Sequence, residues 1–160
     1  SVTFPNKLKV DDKPVALLIG LGVEKSRAKT LYNKVNPEEL ILMYADPSFD
    51  RKYVELAFEN NQDIIKITKS RNLINYPLFD IDKTSEILTN LCLDLRMKYN
   101  VILAPLGPKI FALNCLLHSV KFPDIDVWRV SAGKKEPCYN KQAQGHPLIL
   151  KTVFELEDDE

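Results

Sequence analysis

This sequence has no excess of charge of either sign, since 22 basic residues balance 22 acidic ones over 160 residues. The balance excludes the long-range positive field on which sequence-independent binding of nucleic acid depends, although it leaves room for a local basic rim. The chain also lacks any apolar run near the ~20 residues that span a bilayer, and no charged-then-apolar leader opens it. These absences predict a protein with no membrane segment and no membrane partner.

Cysteine is scarce as well, and Cys92, Cys115 and Cys138 are odd in number and widely spaced. Two of the three fall in segments that are predicted to be buried helices. We therefore expect reduced thiols in a cytoplasmic protein rather than a disulfide framework. The first residue is Ser rather than Met, which suggests a trimmed tag or a domain cut from a longer chain.

The chain does have enough apolar sequence for one well-buried domain. Apolar residues make up 45% and charged residues 28%, as is usual for globular proteins. A length of 160 residues is that of one ordinary domain. Because there is no internal repeat, no low-complexity segment and no sign of a second domain, we expect a single domain over residues 1–160.

Short apolar runs alternate with helical patterns along this domain. Strands are predicted at residues 15–19, 40–45, 64–68, 101–104, 126–130 and 148–156. Helices are predicted at residues 24–35, 46–60, 84–99 and 109–120, and the last of these is apolar almost all round, so it should be the most buried. This order implies a Rossmann-like three-layer α/β sandwich with a mainly parallel sheet of five or six strands. The final strand follows a long loop without a helix, which allows it to be an antiparallel edge strand.

Two glycine-containing turns stand out, Gly20 to Gly22 after the first strand and Gly107 to Lys109 after the fourth. In a parallel sheet of order 3-2-1-4-5, both would lie where the strand order reverses, which is where such sheets bind ligands. Glycine lets the backbone approach a ligand, and a helix N-terminus attracts an anion. With Lys25 nearby, the turns predict a phosphate or carboxylate site. Tight strand-to-helix turns need glycine in any case, so a purely structural role stays open.

Other candidates are weaker signals of ligand contact. Asp46 ends the second strand, although such residues are first of all turn and capping residues. Gly133 and Lys134 lie in a basic loop after the fifth strand, which is either solvated or in contact with a ligand. The turn at Gly20–Gly22 lacks the third glycine of the dinucleotide-binding fingerprint, and Arg27 lies close to where that fingerprint needs small residues. Glu24 stands where the phosphate-binding P-loop requires a glycine.

Catalytic groups are few. His118 falls on the one polar stripe of its predicted helix, which indicates a solvated surface residue. Cys138 and His146 could be a nucleophile and a base, or two metal ligands, but no third orienting group and no second ligand pair accompany them. We therefore predict no catalytic residue, no metal site and no cofactor.

Residues 101–113 combine a strand, Gly107, Lys109 and an apolar helix, an arrangement that resembles the CRISPR-associated Rossmann-fold (CARF) sensor domains. In that family the fourth strand ends in a Gly-rich turn, usually Gly-Gly-Thr-Lys, that opens an apolar helix. Asp80 and Asp82 before a long helix also match the family's layout, and the similarity spans about residues 15–130. The resemblance implies a homodimer that binds an anionic ligand, such as a cyclic oligonucleotide, at the strand tips and signals to an attached effector domain.

Three functions therefore follow from the sequence as hypotheses. The first is a ligand-binding or sensor domain for a nucleotide or another anionic metabolite at the strand tips. The second is a small hydrolase or transferase that uses the same crevice, and the third is an interaction domain of a multidomain protein. The ligand-binding residues predicted for the first are Gly20, Gly22, Lys25, Asp46, Gly107, Lys109, Gly133 and Lys134.

Overall fold

The computed structural model describes residues 12–46, 48, 50–129, 149, 151 and 153. These residues contain the strands β1 (Val15–Gly20), β2 (Glu39–Ala45), β3 (Leu73–Tyr76), β4 (Asn100–Pro105) and β5 (Asp126–Val127). They also contain the helices α1 (Arg27–Val35), α2 (Arg51–Asn60), α3 (Gln62–Ile65), α4 (Ile81–Arg96) and α5 (Lys109–Lys121), with a 3-10 turn at Ser70–Asn72.

The strands form one sheet in the order β3-β2-β1-β4-β5, and every pair in it is parallel. The first and fourth strands are adjacent at its centre, as predicted, and the Rossmann-like α/β class is confirmed. The described residues contain no antiparallel strand. The final strand predicted at 148–156 lies for the most part outside them.

Helices cover both faces of this sheet because the apolar side chains of the buried strands alternate in direction. Leu17 and Ile19 of β1 belong to a core shared with α1 and α3, whereas Leu18 belongs to the core shared with α4 and α5. The positions of the helices follow from right-handed crossovers on either side of β1. Cys92 and Cys115 are buried free thiols within α4 and α5, as predicted.

The third strand was predicted in the wrong place. Ile64 and Ile65 belong to α3, and Ile64 is fully buried against the α1 side of the sheet. The actual β3 begins at Leu73, five residues after the predicted strand at 64–68 ends. Before it, the Asn72 amide donates to the carbonyl oxygen of Leu40 at 2.8 Å and to the Glu39 carboxylate at 2.6 Å. These side-chain hydrogen bonds hold the start of an edge strand against β2. Bonds of this kind leave no hydrophobic pattern in the sequence from which the strand could be predicted.

Three helix starts were also predicted wrongly, and the first of these helices, α1, begins at Arg27 rather than at residue 24. The α2 helix is capped by Asp50, whose carboxylate accepts from the backbone N–H of Tyr53, and not by Asp46. The α4 helix begins three residues before its predicted start, because Asp80 caps it. Thr84 lies inside the helix, where its hydroxyl donates to the carbonyl oxygen of Pro77 at 2.8 Å.

The largest correction concerns α5. His118 was predicted to be solvated, but it is 3% exposed. Its Nδ1 is 2.8 Å from the carbonyl oxygen of Asn114, and its Nε2 is 2.9 Å from the hydroxyl of Thr89 in α4. Asn114 and His118 of the polar stripe of α5 therefore face the protein interior. Three of its apolar residues are exposed instead, namely Leu113, Leu116 and Val120. The helix is therefore not buried on all sides.

Candidate ligand site at the carboxyl edge of the sheet

The two predicted glycine turns lie side by side at the centre of the carboxyl edge. β1 ends at Gly20 beside the end of β4, and the N–H of Leu106 donates to the carbonyl oxygen of Gly20 at 3.0 Å. On the other side, the N–H of Leu21 donates to the carbonyl oxygen of Met43 at 2.7 Å. The structure thus brings together the turn residues that the sequence singled out.

These turns contact each other directly. A Cβ on Gly22 would overlap the carbonyl oxygen of Leu106, and a Cβ on Gly107 would lie 2.6 Å from the carbonyl oxygen of Leu21. Real Cβ atoms do not approach backbone oxygens so closely, so both glycines are needed for the turns to pack together. The structural role of these glycines is therefore present whether or not a ligand binds.

The remaining glycine of the first turn, Gly20, is covered by an aromatic side chain. A Cβ on it would overlap the ring of Phe111 from the first turn of α5. That ring stacks on Tyr76 with the centroids 4.6 Å apart. Burial raises the pKa of Tyr76, with smaller contributions from Tyr53 and Cys115. This aromatic pair fills the crevice on the α5 side of the sheet.

Two asparagines at the end of α2 fasten that helix to the first glycine turn. The Asn61 amide donates to the carbonyl oxygens of Gly22 at 2.9 Å and Ala57 at 2.7 Å, and Asn61 is 2% exposed. The neighbouring Asn60 amide donates to the carbonyl oxygen of Val23 at 2.6 Å. In the sequence this Asn-Asn pair stands at the end of the helix predicted at 46–60, and its spacing indicates no further role. A pair of amides at a helix end can, however, also bind the carbonyls of a neighbouring turn.

Asp46 follows β2 directly at the same edge of the sheet. One of its carboxylate oxygens accepts from the backbone N–H of Ser48 at 2.8 Å, and the other is 3.5 Å from the Asn75 amide nitrogen. The bond from Ser48 is the main cause that lowers the pKa of Asp46. Asp46 is therefore an ionised turn residue that keeps free acceptor capacity. Lys25 and Lys109, which follow β1 and β4 at the same edge, are exposed.

Four candidate residues singled out in the sequence lie outside the residues that the structure describes. They are Gly133 and Lys134 of the predicted ligand set, and the pair Cys138 and His146.

An open groove of about 780 Å³ lies between α2 and the end of β2. Tyr44 and Phe58 meet in it edge to face, with ring centroids 4.9 Å apart. Small-molecule sites usually enclose about 300–1,000 Å³ and combine apolar walls with a few polar groups. Tyr44 falls in a predicted buried strand and Phe58 in a predicted helix, so the sequence pattern gives no sign of the groove. The groove is lined by Tyr44, Ser48, Arg51, Val54, Glu55, Phe58, Glu59 and Gln62.

Within the part of the chain that the structure describes, no cluster of three or more His, Cys, Asp or Glu side chains is arranged to hold a metal ion. The helices in that part are all too short or too polar to cross a lipid bilayer. In comparisons with known proteins, this chain matches no model of a protein family and no curated protein sequence.

Proposed function

We propose that this domain binds a nucleotide or a similar anionic metabolite at the carboxyl edge of its sheet, and that it serves as a ligand-binding or sensor domain. The observation that carries the proposal is the groove between α2 and the end of β2. It lies beyond the carboxyl end of β2, the edge at which open parallel sheets bind ligands, one strand away from the point between β1 and β4 where the strand order reverses. Its volume suits a ligand of nucleoside size.

The chemistry of the groove supports a ligand with a flat ring and hydroxyl groups. Tyr44, Val54 and Phe58 offer apolar and aromatic surface on which a base can pack. Ser48 joins this surface to Asp46, whose carboxylate can accept hydrogen bonds from sugar hydroxyls. An acidic residue at the end of the second strand has that role in Rossmann folds that bind nucleotides.

The negative group of the ligand is better served by side chains at the rim than by the glycine turns. The backbones of the turns already contact each other, which leaves no cradle between them in this conformation. Arg51 lies on the rim of the groove, where its guanidinium bonds Glu55 at 2.8 Å. Lys25 and Lys109 are exposed on the same edge and add positive charge for a phosphate.

Binding is better supported than catalysis because the cysteine and histidine side chains of the described residues are buried. Burial raises the pKa of Cys92 to about 11, and it also raises the pKa of Cys115. Such thiols remain protonated and do not act as nucleophiles near neutral pH. Both ring nitrogens of His118 are engaged inside the protein. A homodimer and an attached effector domain remain predictions of the CARF resemblance.

Thermal-shift measurements with adenosine, AMP, a cyclic dinucleotide and inorganic phosphate test this proposal. We expect a nucleoside or nucleotide to raise the melting temperature in a saturable way. Asp46→Ala should weaken binding of adenosine about 10- to 100-fold, because one charge-assisted hydrogen bond is lost. Lys109→Ala should weaken binding of AMP but not of adenosine.

The matched control is Asp94→Ala, which removes an exposed carboxylate from α4, away from the groove. It should leave binding of every probe unchanged. If none of the four probes shifts the melting temperature of the unmodified protein, the proposal is wrong.

A further inference from the structure

Helix α5 presents an apolar ridge to solvent, formed by Leu113, Leu116 and Val120. These residues follow the spacing i, i+3, i+7, which aligns them on one face of a helix. They are 38%, 53% and 59% exposed, respectively. Contiguous apolar surface of this kind on a folded domain marks an interaction site more often than a single exposed leucine does.

The rotation of α5 about its own axis is fixed from inside the protein. Asn114 and His118 are almost fully buried, and His118 bonds Thr89 of the neighbouring helix α4. Phe111 and Cys115 fill the core on the same side. Turning the ridge inward would break these contacts and would expose a core phenylalanine. The outward ridge is therefore a stable property of the fold.

The charged side chains that α5 itself contributes are all basic. Lys109 and Lys121 stand exposed at its two ends, and the sequence of α5 contains no acidic residue. If two copies packed antiparallel along their ridges, Lys109 of one copy would face Lys121 of the other. Like charges placed opposite each other disfavour such a contact. Charge complementarity instead favours a partner with acidic residues on both sides of its apolar surface.

We propose that the ridge of α5 is a docking surface for an amphipathic helix of a partner protein, with apolar residues at i, i+3 and i+7 flanked by Asp or Glu. Helices of this kind bind through their apolar anchors, and the flanking charges set the orientation and the choice of partner. No residue of α5 lines the groove at α2, and only Lys109 is shared with the proposed phosphate contacts. The docking proposal therefore goes beyond ligand binding and does not depend on it.

Two synthetic helical peptides test the proposal, one with leucines at i, i+3 and i+7 flanked by Glu and the other with the same leucines flanked by Lys. We expect the Glu peptide to bind the purified protein saturably in fluorescence anisotropy, at least tenfold more tightly than the Lys peptide. The double variant Lys109→Glu/Lys121→Glu should reverse this preference. Leu116→Glu should abolish binding of the Glu peptide.

Leu56→Glu is the matched control, because Leu56 is a similarly exposed leucine at 44% on α2. It should bind the Glu peptide like the unmodified protein, and the melting temperatures of all variants should show that they remain folded. The proposal is wrong if neither peptide binds or if the two bind equally well. It is also wrong if the protein is a dimer that Leu116→Glu converts to a monomer, because a second copy would then occupy the ridge.

Discussion

Gly20 and Gly22 belong to one turn, yet they contact neighbours of different kinds, and this difference can be measured. Gly22 faces the backbone of Leu106, which cannot move away without shifting β4. Gly20 faces the ring of Phe111, a side chain that can be shortened. We expect Gly22→Ala to lower the free energy of unfolding by about 3 kcal/mol, and Gly20→Ala by about 1–3 kcal/mol.

Urea unfolding of the double variants separates the two cases. Phe111→Leu in the Gly20→Ala background should cost less than it does alone, since the shorter side chain makes room for the new methyl group. A coupling energy of about 1 kcal/mol or more is expected. The same Phe111→Leu change should give no relief to Gly22→Ala. Equal relief in both backgrounds would contradict the packing described for these glycines.

At the scale of elements, α2 depends on its C-terminal asparagines for its position over the first glycine turn. Asn61→Ala removes two hydrogen bonds from a buried amide and leaves the carbonyl oxygen of Gly22 without that donor. We expect a loss of about 2–3 kcal/mol in the free energy of unfolding. Hydrogen exchange should also become faster in α2 and at residues 21–26, while it stays unchanged in α4.

Asn60→Ala serves as the comparison, because that amide makes a single bond and is only partly buried. Its cost should be about 1 kcal/mol. If Asn61→Ala is no more costly than Asn60→Ala, or if exchange rises equally in α4, the asparagines do not position α2 as described.

The elements also show which parts of the structure the sequence could predict. The order and central position of β1 and β4 followed from continuous apolar runs, which occur where both faces of a strand are buried. β3 has no such run, because it is an edge strand whose start is tied to β2 by Asn72. The rotation of α5 is set by the burial of Phe111 and Cys115 together with the long-range bond between His118 and Thr89. Sequence periodicity gives no indication of such a bond.

The candidate site likewise has some features that could be predicted from the sequence and others that could not. Its place at the carboxyl edge, and the meeting of the two glycine turns there, follow from topology and could be predicted. The closure of those turns against each other depends on sub-ångström packing of backbone atoms, as at Gly107. The groove depends on the angle at which α2 crosses the end of β2, which neither the pattern around Tyr44 nor that around Phe58 specifies.

For the molecule as a whole, the buried thiols and Tyr76 predict a loss of stability at alkaline pH. Burial raises the pKa of Cys92 to about 11 and also raises those of Cys115 and Tyr76. In the unfolded chain, thiols lose their protons near pH 8.5. Above that pH the unfolded state binds fewer protons than the folded state, so stability falls as pH rises. The stabilisation by Cys92 is complete below about pH 8.5 and is lost as pH rises to about 11.

Urea unfolding between pH 7.5 and 10.5 under reducing conditions measures this effect. Each thiol should contribute a slope of up to about 1.4 kcal/mol per pH unit above its unfolded pKa. The double variant Cys92→Ala/Cys115→Ala should be less stable at pH 7.5 and should show a shallower fall. A free energy of unfolding that stays constant up to pH 10.5 would show that these groups are not held protonated by the fold.

The central position of β1 also determines how this fold is completed while the chain is being synthesised. Among the described strands β1 is translated first, but one of its two neighbours is β4, and Val15 pairs with Asn100. About 85 residues must therefore be translated before the middle of the sheet can close, which takes several seconds at about 5–20 residues per second. During that time β1, β2 and β3 can pair while one edge of β1 is still uncovered. Nascent chains that stop before residue 100 should consequently depend on chaperones, whereas chains extended past α5 should not.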